Sequence, residues 1–214
     1  GEADDFGRPS NIWTLKSDEI GTYANMDQLV GTYTAKVSKS DVYEAVGRTV
    51  YNDLTDGKSD LTVWFDGVET PVKTADVEDY VERNNTGAVN NTANGDLTEI
   101  YVDDVNDTVT VVMINHYMAE VTKVKDGENT VRVLSNKTMT NPIDERTIIA
   151  DGFAKGDYVV VTVDVNDDDD SFIASIADPE AVEGTVTRVS KDSDPEGNQG
   201  SYVKMDDGSK HTYS

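Results

Sequence analysis

Acidic side chains at alternating positions are the chain's clearest candidates for binding chemistry. In the segment DVNDDDDS, Asp164, Asn166 and Asp168 have the spacing with which an EF-hand calcium loop begins. The sixth position is Asp169, where such a loop needs glycine, and the twelfth is Ser175, where it needs a bidentate glutamate. The segment is therefore either a weak calcium site or a solvated hairpin turn whose charges discourage edge pairing.

Two further loops carry the same kind of side chain. Asp103, Asn106 and Asp107 lie in the segment DDVND, and the segment DLTDGKSD covers residues 53–60. Neither matches a dedicated calcium loop. We expect any cation site in the three loops to be weak, with dissociation constants of about 0.1 to 1 mM, as in extracellular calcium modules.

Residue patterns for catalysis are scarce. His116 and His211 are the only histidines, and they fall in different predicted units. The sequence contains no G-x-S-x-G elbow, no glycine-rich phosphate loop before a helix, and no H-E-x-x-H motif. Glycoside hydrolysis needs a pair of carboxyl groups, and nothing in so acidic a chain singles out two of them. We predict no enzymatic activity and no cofactor other than weakly bound calcium.

Aromatic side chains on predicted strands offer a platform for stacking sugars, and Trp64 is the candidate we single out for glycan stacking. Because strand residues alternate between faces, Val63 and Phe65 should share one face and Trp64 the other. The same residues suit core or cross-strand packing, so the sequence leaves both roles open. The aromatic residues considered are Trp13, Trp64, Tyr101, Tyr117 and Tyr158.

Composition limits the classes of partner. The chain has 214 residues, of which 42 are acidic and 18 basic, giving a formal charge of -24 that repels phosphate backbones and anionic lipids. We therefore predict no nucleic-acid partner and no membrane partner. There is no cysteine for a disulfide or a thiolate metal site, and no apolar run approaches the roughly 20 residues that span a bilayer.

The elements that must position these side chains are mostly strands. The central segment 97–134 predicts a hairpin, LTEIYV and TVTVVMINHYM joined by an Asp/Asn turn, that leads directly into further strands. Before it we predict an extended lead-in at residues 1–9 and a β-rich unit at 10–117 with two short helices, one near 40–47 and one near 74–85. The segment RTVYNDL between them is predicted as a strand.

The C-terminal half predicts a small five-stranded barrel-like unit at residues 118–182. Its strands are AEVTKV, TVRVL, TII, YVVVTVDV and SFIASI. The segment V-T-R-V at 186–189 then repeats V-T-K-V at 121–124, which suggests tandem β-units. Residues 183–214 should form two short strands, the start of a further unit packed on the preceding one. The predicted fold class is thus mainly β, with tandem small barrel-like or sandwich-like units.

Several segments in combination resemble the β-rich repeat region of large surface proteins with S-layer homology modules, from anaerobic Gram-positive bacteria. The resemblance covers most of the chain and is carried by GRPSNIWTLKSDEIGTYANM, YTAKVSKSDVYEAVG, LTEIYVDDVNDTVTVVMINHYMAEVTKV, FAKGDYVVVTV and IADPEAVEGTVTRV. No homology module is visible, so the anchoring function of those modules is not implied. The resemblance supplies no catalytic residues.

What the resemblance implies is an extracellular, cell-wall location and a non-catalytic structural or adhesive role, with cell-wall components or neighbouring surface proteins as partners. The alternative function is a binding module for a glycan or a cell-wall polymer. From the abrupt start at Gly1-Glu2 and the strand pattern at the other end we expect a piece of a longer protein.

Overall fold

The structure is a computed structural model that describes residues 26–134, 143–179, 186–190, 201–207 and 210–213. The predicted lead-in and Trp13 lie outside these residues. Within these residues strands far outnumber helices, which confirms the mainly β fold class. No helix within the described ranges is long and apolar enough to cross a membrane.

The chain divides into two compact units, Gly1–Asn115 and His116–Ser214. The first unit contains a 3-10 helix at Met26–Gln28, β1 (Leu29–Tyr33), α1 (Lys39–Val46), α2 (Arg48–Thr55), β2 (Asp60–Phe65), β3 (Val68–Val72), a 3-10 helix at Thr74–Asp79, β4 (Leu97–Asp103) and β5 (Thr108–Ile114). The second contains β6 (Tyr117–Lys125), β7 (Glu128–Val133), β8 (Thr147–Ile149), β9 (Tyr158–Val165), β10 (Ser171–Ala177), β11 (Val186–Ser190), β12 (Ser201–Met205) and β13 (Lys210–Tyr213).

The first unit is a five-stranded sheet in the order β1-β4-β5-β2-β3. The predicted central hairpin is present as the antiparallel pair β4 and β5, with Leu97 opposite Ile114. Strand β2 lies parallel to β5, with Asp60 opposite Thr108. Parallel neighbouring strands need a long crossover connection. Between β2 and β5 this connection consists of β3, the 3-10 helix Thr74–Asp79, the loop that follows it, and β4.

Two consecutive helices pack on one face of this sheet. Ser38 caps α1 through a reciprocal capping box, in which the Asp41 amide donates to Ser38 Oγ at 3.0 Å and the Ser38 amide donates to Asp41 Oδ2 at 2.9 Å. The helix predicted near 40–47 is therefore confirmed, with Ser38 as its N-cap. The core between helices and sheet is apolar and includes Val42, Val46, Leu54, Leu61, Val63, Ile100, Val109, Val111 and Met113.

The segment predicted as a strand, RTVYNDL, is instead the helix α2, so that prediction was wrong. Gly47, with φ of +86°, ends α1 and begins α2, and this left-handed conformation is one that glycine adopts without a steric penalty. Val50 and Leu54 then have the i, i+4 spacing of a helix face, and the ring of Tyr51 packs edge-on against Tyr43 at 5.2 Å. The second predicted helix shortens to the 3-10 helix Thr74–Asp79.

The second unit begins with a five-stranded sheet in the order β10-β9-β6-β7-β8, which matches the five predicted strands. The sheet closes because Glu145 forms a parallel bridge with Phe172: the Glu145 amide donates to Ser171 O at 2.9 Å and the Ile173 amide donates to Glu145 O at 3.3 Å. Around the barrel the order is first, second, third, fifth and fourth strand, which is the OB-fold arrangement. Its interior holds Tyr117, Ala119, Val121, Val131, Val159, Val161, Val163 and Ile173.

The end of the chain forms a third sheet, the antiparallel meander β11-β12-β13. The sequence predicted two strands in this region and the structure has three. Its pairing places Val186 opposite Met205 and Val203 opposite His211.

Candidate functional site

Trp64, the glycan-stacking candidate, is buried on one face of the first sheet. Its neighbours Val63 and Phe65 belong to the helix-side core, and Trp64 projects from the opposite face, as the alternation predicted. That face is not open, because Trp64 is only 5% exposed. Tyr101 and Tyr117 are also buried. A sugar stacks on an exposed ring, so none of these three rings can serve as a platform in this conformation.

The face that carries Trp64 also contains a buried polar pair that sequence reasoning missed. Glu99 is 0% exposed, and its Oε2 accepts a hydrogen bond of 3.2 Å from the Tyr101 hydroxyl. Glu99 lies opposite Val112, whose other neighbour in the sheet is Trp64. A buried carboxyl group requires hydrogen-bond donors. A glutamate within LTEIYV, a strand segment whose other residues are uncharged, was the available signal for this pair.

The turn between β4 and β5 is organised by the Asp103 carboxylate. Its Oδ1 accepts from the amides of Val105 at 3.0 Å and Asn106 at 3.1 Å, and its Oδ2 accepts from Asn106 Nδ2 at 2.8 Å. The pKa of Asp103 is lowered, mainly by the hydrogen bond from the Asn106 side chain. Burial of the carboxyl group acts in the opposite direction and raises the pKa. The backbone amides of Asn106 and Val105 and the side chain of Gln28 lower it further. Two of the predicted cation ligands thus bind each other, while the third, Asp107, is exposed.

The acidic turn between β9 and β10 is organised by Asn166 in a similar way. Its Oδ1 accepts from the amides of Asp168 and Asp170, both at 2.9 Å. Asp164 lies within β9, is buried, and accepts from the Val165 amide at 2.8 Å, whereas Asp168 is exposed in the turn. The structure therefore does not bring the predicted trio Asp164, Asn166 and Asp168 together around one point.

Two of the acidic loops that are distant in sequence are neighbours in the first unit. The Asp60 amide donates to Asp107 O at 2.9 Å, which joins the loop 53–60 to the turn between β4 and β5. This proximity follows from the parallel pairing of β2 and β5, which the sequence did not reveal. Even so, within the described ranges no group of three or more His, Cys, Asp or Glu side chains is placed to hold a metal ion.

One aromatic ring considered at the outset does lie on the surface. Tyr158, the first residue of β9, is 59% exposed. It lies opposite Glu120 on β6, which in turn lies opposite Arg132 on β7. Arg132 Nη2 and Glu120 Oε2 form an ion pair at 2.8 Å. Because cross-strand partners project from the same face, the three side chains form a row on the outside of the barrel.

Comparison with known proteins does not place the chain in a family. No family model matches it, and no curated protein is similar to it. Among solved structures, the chain described as drosophila Unr CSD456 matches at 15% identity and a TM-score of 0.21, covering 68% of this chain and 69% of that one. A likeness at this TM-score supports no argument about fold or function.

Proposed function

We propose that this chain is a non-catalytic structural or adhesive segment of a bacterial cell-surface protein, located outside the cell at the wall. The observation that carries the proposal is the packing of Trp64 and Tyr101 into the sheet, beside turns whose exposed side chains are acidic. Aromatic residues used in this way stabilise a shape instead of presenting a binding surface. The sequence resemblance to S-layer-type surface proteins supports the location.

The edges of the two sheets are protected against pairing with other molecules, which supports a segment that stays soluble at high density. The edge strand β3 is exposed over most of its length and carries Glu69 and Pro71, which hinder pairing with another chain. The barrel of the second unit closes through Glu145 and Phe172 and so protects its outer strands. A charge of -24 adds repulsion between molecules.

A binding module for a glycan or cell-wall polymer is the second candidate, and Tyr158 is the specific observation that favours it. The exposed ring stands beside a carboxylate and a guanidinium, Glu120 and Arg132, that can both form hydrogen bonds with hydroxyl groups. In this candidate Tyr158 takes the stacking role that the sequence analysis gave to Trp64.

Labelling of intact cells of the source bacterium with an antibody against this chain tests the location. We expect the label on the cell surface and the protein in the wall fraction. Recovery in the cytosolic fraction would contradict the proposal.

A glycan and wall-polymer array separates the two candidates. For the structural role we expect no saturable binding by the unmodified chain. Saturable binding that is lost in Tyr158→Ala would favour the second candidate. Loss in Trp64→Ala, with an unchanged circular dichroism spectrum, would show that Trp64 is the contact residue and would overturn the preferred role.

A further inference from the structure

Asn94 and Gly95 form the sequence's only asparagine–glycine pair. Asparagine is among the thermolabile residues, because the backbone nitrogen of the following residue can attack its side-chain carbonyl carbon. Glycine in the following position makes this attack easiest, since it has no side chain to block the approach. Both residues are exposed in the loop that leads into β4. The pair therefore combines a reactive sequence with access to water.

The fold itself requires glycine at position 95. Gly95 has φ of +90°, a left-handed conformation that other residues adopt only with strain. A Cβ atom added to Gly95 would meet no other atom within 4 Å, so the reason is the backbone conformation and not a lack of space. Any replacement of Gly95 that made Asn94 less reactive would therefore strain the turn.

A hydrogen bond restrains the nitrogen that would have to attack. The Gly95 amide donates to Thr34 O at 2.9 Å, and the Asp96 amide donates to Ala93 O at 3.1 Å. To react, the Gly95 nitrogen must lose its proton and turn toward the Asn94 side chain. The hydrogen bond to Thr34 opposes both changes, so the closed turn protects Asn94.

This hydrogen bond lies at one end of the β1–β4 pair, where opening is local. Tyr33, the last residue of β1, pairs with Thr98, and the bond between Gly95 and Thr34 lies just beyond that pair. Among the strands that the structure describes, β1 stands at the end of the first sheet. Strand ends at the border of a sheet open more readily than its centre. The Gly95 nitrogen can therefore be released without unfolding of the whole unit.

We propose that Asn94 is a site of spontaneous deamidation, controlled by opening of this end of the β1–β4 pair, with water as the co-reactant. The Gly95 nitrogen attacks Asn94 Cγ and closes a succinimide ring, and the side-chain nitrogen leaves as ammonia with the proton of the Gly95 amide. Water then opens the ring. Cleavage at Cγ gives aspartate, whereas cleavage at the main-chain carbonyl carbon of residue 94 gives isoaspartate, in which the backbone runs through the side chain.

The two products affect the fold differently. Aspartate keeps the backbone and adds one charge at an exposed position. Isoaspartate lengthens the backbone by one atom shortly before Asp96 and Leu97, which are each 2% exposed, so the Gly95 amide loses its alignment with Thr34 O. We expect Asn94→Asp to leave the melting temperature unchanged and the isolated isoaspartate form to melt at a lower temperature. Equal melting temperatures of the two forms would overturn this consequence.

The main test compares the folded chain with a synthetic peptide of residues 90–99 at mildly alkaline pH. Peptide mapping by mass spectrometry measures loss of the Asn94 amide group, and hydrogen exchange measures opening at the Gly95 amide under the same conditions. We expect deamidation in the folded chain to be slower than in the peptide by about tenfold or more. Urea below the unfolding midpoint should raise the deamidation and exchange rates in proportion.

Two variants separate local opening from a general loss of stability. Tyr33→Ala removes a half-buried side chain at the end of β1 next to Thr34, and we expect it to speed deamidation of Asn94. Asn106→Ala is the matched control, because it loosens the turn at the opposite end of β4 and should have a smaller effect. The urea series needs no variant, so it decides the question even where Tyr33→Ala fails to fold.

Equal deamidation rates in the chain and the peptide would overturn the proposal, and so would equal acceleration by the two variants. Urea that opens the Gly95 amide without speeding the loss of the Asn94 amide group would also overturn it. Conversion of other asparagines while Asn94 stays intact would overturn the assignment of the site.

Discussion

The hydroxyl of Tyr101 donates a hydrogen bond to the fully buried Glu99 carboxyl group. Replacing the tyrosine by phenylalanine removes the hydroxyl group and therefore this hydrogen bond. We expect Tyr101→Phe to lower the free energy of unfolding by about 1 to 3 kcal/mol, because a buried acceptor loses one of its donors. Urea denaturation measures the difference. Tyr158→Phe is the matched control, since Tyr158 is exposed and its change should stay within about 0.5 kcal/mol. Equal effects of the two variants would contradict the role of the pair.

The lowered pKa of the Asp103 carboxyl group should make the stability of the chain depend on pH. Its pKa is lower in the folded chain than the ordinary value of 3.8, so its contribution to stability is present above that value and is lost as pH falls through the folded pKa. We expect Asn106→Ala, which removes the main cause of the shift, to destabilise the chain at pH 7 and much less at the acid end of the titration.

Denaturation of this variant and the unmodified chain at several pH values below 7 checks the prediction, together with the titration of the Asp103 carboxyl carbon by NMR. Asp104→Asn, at an exposed residue of the same turn, is the control. A difference between Asn106→Ala and the unmodified chain that does not change with pH would rule out the proposed linkage.

For individual residues, the sequence predicted which face of a strand a side chain projects from, but it did not predict whether that face is buried. Alternation along β2 assigned Trp64 to the face opposite Val63 and Phe65, as observed. Whether that face is covered depends on contacts that no local pattern encodes. For the same reason the sequence grouped Asp164 with Asn166 and Asp168, although the first is buried in a strand and the third is exposed.

The helix α1 depends on its first turn. We expect Ser38→Ala to destabilise the first unit by about 1 kcal/mol, because the Asp41 amide loses its acceptor and the capping box is broken. Ser38→Thr keeps a hydroxyl group at the cap and should restore most of the loss. Thermal unfolding of the three chains measures both effects. If alanine and threonine destabilise equally, packing at residue 38 matters more than capping.

Among elements, the barrel strands were predictable and α2 was not. Strands β6 to β10 have a clear period of two with β-branched residues, and this pattern is specific to half-buried strands. The segment RTVYNDL contains β-branched and aromatic residues that favour strands, but its Val50 and Leu54 contact the core from a helix that begins directly after Gly47. Tertiary packing outweighed local propensity there. The closure at Glu145 also had no local signal.

For the whole molecule, the charge of -24 governs the response to cations. A calcium site of the expected affinity would add about 1.4 kcal/mol at tenfold excess over its dissociation constant. Asp103 and Asn166 already accept hydrogen bonds within their own turns, so we expect calcium and magnesium to raise the melting temperature equally, through screening. Titration of calcium and of magnesium over the same range of ionic strength measures this. A larger shift with calcium would indicate a specific site.

The order of strands in the first unit determines how its sheet resists a pulling force. Strands β1 and β5 both pair antiparallel with β4 and therefore run in the same direction. A pull on Leu29 and Ile114 then acts along the strands, at opposite ends of the sheet, and loads the cross-strand hydrogen bonds in shear so that they must break together. We expect a higher rupture force in single-molecule stretching through these two residues than through Leu97 and Ile114, which lie opposite each other at the open end of the β4–β5 hairpin, where the bonds open one after another like a zipper.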